Sequence, residues 1–138
     1  MKKYTLLTTL KCNLRCTYCY LGKSNVTMTL PIAEKIIEFI YSNTPHEEKI
    51  DLGFFGGEPL LEFEVMQRIV GVLQSHPKYD PERIELSITT NGTIFNREIA
   101  SFLKRHRIVL CVSCDGPPAV QDLFWVFADH RGSAAVVE

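Results

Sequence analysis

Four short stretches along the chain have the composition of β-strands, and they lie at residues 4–9, 49–55, 83–89 and 108–113. In the second stretch Ile50, Leu52 and Phe54 recur at every other position, a period of two that is typical of strands. The fourth stretch is apolar nearly throughout. Because a strand without polar positions suits the centre of a sheet, we expect the fourth strand to be covered on both faces.

Between these stretches, apolar residues recur every three or four positions, which predicts helices at residues 31–42, 63–75 and 96–105. In the first helix, isoleucines return every four residues from Ile32 to Ile40. Thr29 and Asn96 precede the first and third helices and have side chains suited to N-capping. No regular period is evident from Ala119 onward.

Strands that alternate with helices of this length predict an α/β fold built on a parallel sheet with right-handed crossovers. Polar clusters follow all four predicted strands, and each begins where its strand ends. They are Cys12 with its neighbours, Gly56-Gly57-Glu58, Thr90-Asn91-Gly92, and residues 113–116. Because the carboxyl ends of parallel strands share one face of the fold, the sequence predicts one composite site there.

Composition and charge exclude several classes of protein. The chain has 138 residues with 15 basic and 16 acidic side chains, and 46% of its residues are apolar. This composition argues against disorder, and the net charge of −1 offers no basic surface for nucleic acid. No apolar run approaches the ~20 residues of a membrane span. The apolar segment that follows Met1 is short and lacks a cleavage site, so we expect a cytoplasmic protein without membrane attachment.

Three of the five cysteines, Cys12, Cys16 and Cys19, lie within eight residues, which indicates a metal site in a cytoplasmic chain. Structural zinc normally takes four ligands, and the four histidines are remote in sequence. Three thiolates suit an iron–sulfur cluster with one open iron. Cys111 and Cys114 are three apart on a predicted strand and point to opposite faces. We therefore expect Cys111 in the core, Cys114 either lining the site or packed, and neither of them a ligand.

The motifs at the strand ends, taken in order, resemble those of the radical S-adenosylmethionine (SAM) superfamily. Residues 12–19 (CNLRCTYC) match its CxxxCxΦC cluster motif, in which Φ is an aromatic residue, here Tyr18. Residues 56–59 (GGEP) resemble its second-strand motif, and residues 89–93 (TTNGT) its third-strand segment. Residues 113–117 (SCDGP) resemble its SxDGP segment. The sequences of these motifs are most similar to those of the SPASM branch, which includes anaerobic sulfatase-maturating enzymes and peptide maturases.

The resemblance implies a partial, TIM-like (β/α) barrel, of which this chain holds about four of about six βα units. It implies a 4Fe-4S cluster on Cys12, Cys16 and Cys19, whose open iron binds SAM. The cluster would reductively cleave SAM to a 5′-deoxyadenosyl radical for hydrogen abstraction. The implied partners are a peptide or protein substrate and an external one-electron donor of the flavodoxin or ferredoxin type.

The resemblance also implies a SAM-binding set around the cluster: Tyr18, Gly56, Gly57, Glu58, Asn91, Ser113 and Asp115. Gly56 and Gly57 would let the backbone approach the methionine end of SAM, and Glu58 would meet its ammonium group. Asn91 and Ser113, and Asp115 less directly, would bind the ribose hydroxyls or the carboxylate, and Tyr18 would pack near the adenine. A valine at Gly57 is then expected to weaken SAM binding and to leave the cluster in place.

The chain departs from the family pattern after residue 117. The HDxxR-like segment of this branch is matched only at Asp122, and no Cys-rich SPASM domain follows. These departures indicate residues 1–138 as a truncated radical SAM core domain with an unpaired edge on the fourth strand. Alone, it is expected to be poorly soluble or self-associating, and weak or inactive in SAM cleavage. Residues 124–127 (FWVF) form an apolar run without an evident partner. The alternative function is a non-catalytic iron–sulfur or zinc module, and the sequence does not specify a substrate.

Overall fold

The computed structural model describes residues 1–137, and within them the predicted α/β architecture is confirmed. The four strands are β1 (Lys2–Thr9), β2 (Ile50–Gly56), β3 (Ile84–Thr90) and β4 (Ile108–Val112). All neighbouring pairs are parallel, in the order β1-β2-β3-β4. The strands are joined by α1 (Leu30–Asn43), α2 (Phe63–Ser75) and α3 (Arg97–Arg105), and a 3₁₀ turn over Pro59–Glu62 precedes α2.

The first and third helices begin where the sequence places them, although only one predicted cap forms. Pro31 occupies the first turn of α1, where a backbone N–H would have no helical partner. Thr29 is the N-cap residue of α1, but its side chain makes no capping hydrogen bond. Asn96 does cap α3, since its Oδ1 accepts a hydrogen bond from the Ile99 N–H at 2.9 Å.

The hydrophobic core lies between one face of the sheet and the helices. Leu52 and Phe54 of β2 are fully buried there, packed with the buried ridges of α1 and α2 that include Ile37 and Ile69. Side chains on the other face of the sheet are open or partly covered, as at Thr5 of β1. Helices on one side and an open face on the other give the four strands the form of an incomplete barrel.

Within residues 1–137, strand β4 is not covered on both faces, and the unpaired edge expected of it in a truncated core is found. Strand β4 is the last of the sheet, and only its first residue, Ile108, is buried. Val109 is 60% exposed and Val112 46%. Cys111 is also exposed and is not the core residue that the sequence indicates. An apolar composition identifies a strand correctly but does not reveal what lies beside it.

The segment after β4 is more ordered than its composition indicates. Two short helices form, α4 (Pro118–Phe124) and α5 (Ala134–Val137). The apolar run at residues 124–127 does have a partner, because it pairs with the cysteine loop through an antiparallel bridge between Leu14 and Phe127. Asp122 accepts a hydrogen bond from the Ala134 N–H at 2.8 Å and so joins the two short helices. None of the helices within residues 1–137 is long and apolar enough to cross a bilayer.

Candidate active site

A single cavity at the carboxyl ends of the strands brings together residues from all four predicted polar clusters. Cys12, Cys16 and Cys19 contribute from the loop after β1, and Gly56 and Gly57 from the end of β2. Thr90 and Asn91 follow β3, and Ser113 follows β4. The full lining is Cys12, Cys16, Tyr18, Cys19, Tyr20, Leu21, Lys23, Phe55, Gly56, Gly57, Thr89, Thr90, Asn91, Ser113 and Trp125.

The cysteine loop is anchored at both of its ends. Leaving β1, the chain turns so that the Leu10 N–H donates to the Val26 carbonyl at 2.8 Å. Thr9 and Thr27 form an antiparallel bridge at the same place. In the middle of the loop, the side chain of Leu14 is fully buried. The loop is therefore a packed element that presents its three cysteines to the cavity.

All five cysteines carry free thiols, and the three in the loop differ in burial. Cys12 and Cys16 are partly buried, and this desolvation raises the pKa of both thiols. The Leu14 N–H, 3.4 Å from Cys12 Sγ, and the charge of Lys23 lower the pKa of Cys12, but by less. Because burial favours the neutral thiols, a positive ligand such as iron would be needed to hold them as thiolates.

Three soft sulfur donors beside one cavity fit an iron–sulfur cluster better than a hard cation. Among residues 1–137, no group of three or more His, Cys, Asp or Glu side chains is gathered as a single metal ion requires. Cys12, Cys16 and Cys19 nevertheless all line the same cavity. Cys111 and Cys114 are both exposed and do not line the cavity, so Cys114 neither lines the site nor is packed, contrary to the expectation from the sequence.

The glycine pair after β2 is required by contacts with the backbone of the cysteine loop. A Cβ built on Gly57 would lie 2.2 Å from the Lys11 carbonyl oxygen, and one built on Gly56 would lie 2.3 Å from that of Thr9. Gly56 also has a φ of +152°, which side chains disfavour. The Gly57 N–H donates to the Thr9 carbonyl at 2.9 Å. Both glycines line the cavity, and they also set the position of the loop.

Glu58 lies behind the cavity and does not line it. Its side chain is fully buried, and its carboxylate accepts hydrogen bonds from three donors: the Leu60 N–H at 3.0 Å, the Thr90 hydroxyl at 2.7 Å and the Asn91 N–H at 2.7 Å. Burial raises the pKa of this carboxyl group, and the three donors oppose that rise. In this arrangement Glu58 joins the end of β2 to the end of β3.

Asn91 lines the cavity, and its side chain is engaged by two neighbours. Its Nδ2 donates to Asn13 Oδ1 at 3.0 Å, and its Oδ1 accepts from the Thr93 hydroxyl at 2.7 Å. Asn13 Nδ2 in turn donates to the Thr93 hydroxyl oxygen at 2.8 Å, which closes the circuit. We call Asn13, Asn91 and Thr93 the amide triangle. It joins the residue next to Cys12 to the segment after β3.

The remaining predicted residues lie on the side of the cavity formed after β4. Ser113 lines the cavity, and its N–H donates to the Thr90 carbonyl at 2.9 Å. Tyr18 also lines it, and its hydroxyl donates to Asp115 at 2.5 Å. Desolvation and this hydrogen bond raise the pKa of Tyr18 to about 12. Asp115 itself does not line the cavity, and it also accepts a hydrogen bond from the Trp125 indole at 2.8 Å.

Several lining residues were not identified from the sequence, among them Trp125 and Lys23. Trp125 lies in a segment without periodicity, and the sequence distinguished it only as one residue of an apolar run. It reaches the cavity because backbone bonds from Arg15 to Val126 (2.6 Å) and from Thr17 to Phe124 (3.0 Å) attach residues 124–127 to the cysteine loop. Lys23 lies in the polar return of the loop, where a single lysine carries no distinguishing signal.

Comparison with known proteins places this geometry in a family. The model of the radical SAM superfamily matches residues 6–123. An uncharacterized protein of Methanocaldococcus jannaschii is 35% identical over 117 residues, which cover 84% of this chain and 39% of that protein. A cysteine-type anaerobic sulfatase-maturating enzyme of Clostridium novyi is 31% identical over 133 residues, covering 88% and 34% of the two chains.

A solved structure agrees with these relatives. The structure described as native anSMEcpe with bound AdoMet superposes with a TM-score of 0.85 at 25% identity, and the match covers 98% of this chain and 38% of the other. The chain thus spans about a third of the length of the curated relatives it matches. The matched residues include the cysteine loop and the ends of all four strands. This chain belongs to the radical SAM superfamily.

Proposed function

We propose that this chain is a radical SAM enzyme that binds a 4Fe-4S cluster through Cys12, Cys16 and Cys19 and binds SAM beside it. The observation that carries the proposal is the cavity into which the cysteine loop and the ends of the four strands converge. Membership of the family supports it, as do the related structures with AdoMet bound. We also propose that residues 1–138 are the part of the radical SAM core that carries the cluster motif.

The chain's own residues would bind and orient the two cofactors. When bound, the reduced cluster supplies the electron that cleaves SAM to methionine and a 5′-deoxyadenosyl radical, which abstracts hydrogen from the substrate. The three thiols would hold the iron, and the glycine backbone would form one wall of the SAM site. Asn91, Ser113 and Thr89 supply polar groups from the strand ends, and Tyr18 and Trp125 supply an aromatic wall.

We propose that the substrate is a peptide or protein. Two observations on relatives support this class: some are named anaerobic sulfatase-maturating enzymes, and one matching structure contains AdoMet and the Cp18Cys peptide. Reduction of the cluster requires one electron from outside, for which we propose a donor of the flavodoxin or ferredoxin type.

Anaerobic reconstitution with iron and sulfide tests the proposal. The parent chain should become brown and should release 5′-deoxyadenosine from SAM under a strong reductant, at a low rate for a partial core. Replacing Cys12, Cys16 and Cys19 with alanine should abolish both the colour and the product. Replacing Cys111 and Cys114 with alanine is the matched control and should leave the iron content near that of the parent.

The outcomes of this test separate three functions. A colourless chain that takes up zinc would support a zinc module. A brown chain that never cleaves SAM would support the alternative of a non-catalytic iron–sulfur module. Loss of most of the iron on replacing Cys111 and Cys114 would overturn the assignment of three ligands.

A further inference from the structure

The amide triangle connects the cysteine loop to the rest of the fold, and two of its three members do not line the cavity. Asn13 follows Cys12 directly, and Thr93 lies two residues after Asn91. Neither Asn13 nor Thr93 is among the cavity-lining residues. Each of the three side chains both donates and accepts within the triangle, at 2.7 to 3.0 Å. The circuit thus fixes the orientation of both amide groups.

The triangle has a rigid base on the ends of two strands. The N–H of Asn91 donates to the Glu58 carboxylate at 2.7 Å, and the Thr90 hydroxyl donates to the other carboxylate oxygen at 2.7 Å. Glu58, Thr90 and Asn91 are all buried, with 0%, 2% and 5% of their surface exposed. Asn91 is therefore held by its backbone on the sheet side while its side chain reaches the loop.

The preceding residue, Lys11, is held at the end of β2 because its carbonyl accepts a hydrogen bond from the Glu58 N–H at 2.7 Å, whereas the other contacts of Cys12 itself are local to the loop. Its carbonyl accepts a hydrogen bond from the Arg15 guanidinium at 2.7 Å, and its sulfur accepts from the Leu14 N–H at 3.4 Å. Donors two and three residues away move with the loop and cannot fix its position relative to the strands. The amide triangle adds a tie to the segment after β3, because Asn13 lies 78 and 80 residues from Asn91 and Thr93 in the sequence. Asn91 Nδ2 is also 4.0 Å from Cys12 Sγ.

We propose that Asn13 and Thr93 are positioning residues that hold Cys12 at its place in the cavity. The inference builds on the proposed function, in which Cys12 is an iron ligand. The triangle acts on Cys12 before any cofactor binds, so it also restricts the motion of this thiol in the apo chain. Opening the triangle removes hydrogen bonds worth about 0.5–1.5 kcal/mol each, which corresponds to about a two- to tenfold change in an opening equilibrium.

The test is the rate at which iodoacetamide alkylates each cysteine of the reduced apo chain, followed by peptide mass spectrometry. Thr93→Val keeps the shape of the side chain and removes its hydroxyl, and Thr93→Ser restores the hydroxyl. Thr5→Val, a matched control, makes the same change on the open face of β1. Alkylation of Cys12 should be about two- to tenfold faster in Thr93→Val and in Asn13→Ala. It should be near the parent rate in Thr93→Ser and Thr5→Val.

The exposed Cys111 serves as the internal reference, since its rate should not change. A purely structural role would lower the melting temperature of Thr93→Val without a selective effect on Cys12. An unchanged Cys12 rate in Thr93→Val, or an equal rise at all five cysteines, would overturn the proposal.

A second measurement separates this proposal from the proposed function. Reconstituted Thr93→Val should lose its iron to a chelator faster than the parent, by a similar two- to tenfold factor, and Thr93→Ser should not. A parent chain that binds no iron would contradict the proposed function, while the alkylation rates would still decide the role of the triangle. Iron release that is equal in parent and Thr93→Val would count against the positioning role.

Discussion

Gly57 must lack a side chain mainly because the backbone of the cysteine loop packs against it. The sequence indicated that this glycine lets the backbone approach SAM, and the residue does line the cavity. The closest obstacle to a side chain is nevertheless the Lys11 carbonyl, one residue before Cys12. A substitution there would displace the loop, so an effect on SAM alone, with the cluster untouched, is no longer expected.

We therefore expect Gly57→Ala to destabilise the apo chain and to weaken iron binding together. Forcing a methyl group against backbone typically costs about 1–3 kcal/mol. Gly22→Ala is the matched control, because a Cβ on Gly22 would meet no atom within 4 Å. Urea unfolding of both apo variants measures the difference, and iron content after reconstitution measures the second effect. Equal stability of the two variants would contradict this account of the glycine.

At the residue scale, the sequence predicts where the site residues lie better than it predicts what they touch. Residues after parallel strands must meet at one end of the sheet, and for this reason Gly57, Asn91 and Ser113 were found together. The contacts of Glu58 and Asn91 depend on partners 33 and 78 residues away along the chain. Because no local pattern encodes such pairs, a carboxylate expected to face the ligand instead bonds to backbone and hydroxyl groups.

At the scale of elements, periodicity predicts the long helices and the strands to within two residues. It fails for α4 and α5, which have seven and four residues and are too short to show a helical period. It also fails for the surroundings of β4. A strand inside a sheet and an exposed edge strand can share the same apolar composition, because their difference lies in neighbouring elements.

Because residues 124–127 pair with the cysteine loop, we expect them to limit local unfolding of that loop. The Trp125 indole donates to Tyr18 at 2.6 Å and to Asp115 at 2.8 Å, which adds side-chain bonds to the backbone pairing. We expect Trp125→Ala to raise amide hydrogen exchange at Arg15 and Thr17 by about two- to tenfold.

Hydrogen-exchange mass spectrometry of the peptide that spans the loop would measure this change. Leu123→Ala is the control, because Leu123 is 65% exposed on the adjoining helix α4 and should leave exchange in the loop unaltered. Equal exchange in the parent and in Trp125→Ala would show that the backbone bridges suffice to hold the segment.

At the scale of the whole molecule, the exposed apolar surface of β4 predicts self-association. Val109, Leu110 and Val112 are 60%, 37% and 46% exposed on the last strand of the sheet. Open apolar edges recruit further strands. Size-exclusion chromatography with light scattering should find concentration-dependent oligomers. Val109→Glu should shift them toward monomer, whereas Phe39→Glu, the same change at an exposed position on α1, should not. A parent chain that stays monomeric at all concentrations would contradict this expectation.

The class of the whole molecule was predictable, because strand–helix alternation permits few topologies. The parallel order β1-β2-β3-β4 and the placement of the helices on one face follow from right-handed crossovers between successive strands. The attachment of residues 124–127 to residues 14–17 was not predictable, since short backbone bridges between distant segments leave no compositional trace.

The attachment of residues 124–127 to the cysteine loop can form only late, relative to the loop itself, while the chain is being synthesised. Arg15 and Val126 are more than a hundred residues apart, yet they bond to each other across the cysteine loop. At about 5–20 residues per second, the ribosome delivers the second partner roughly 5–25 seconds after the first. Throughout that interval the three thiols have emerged without the wall that Trp125 will supply. The nascent chain thus carries these thiols uncovered for several seconds, and delivery of iron within that interval would meet a loop that lacks its pairing with residues 124–127.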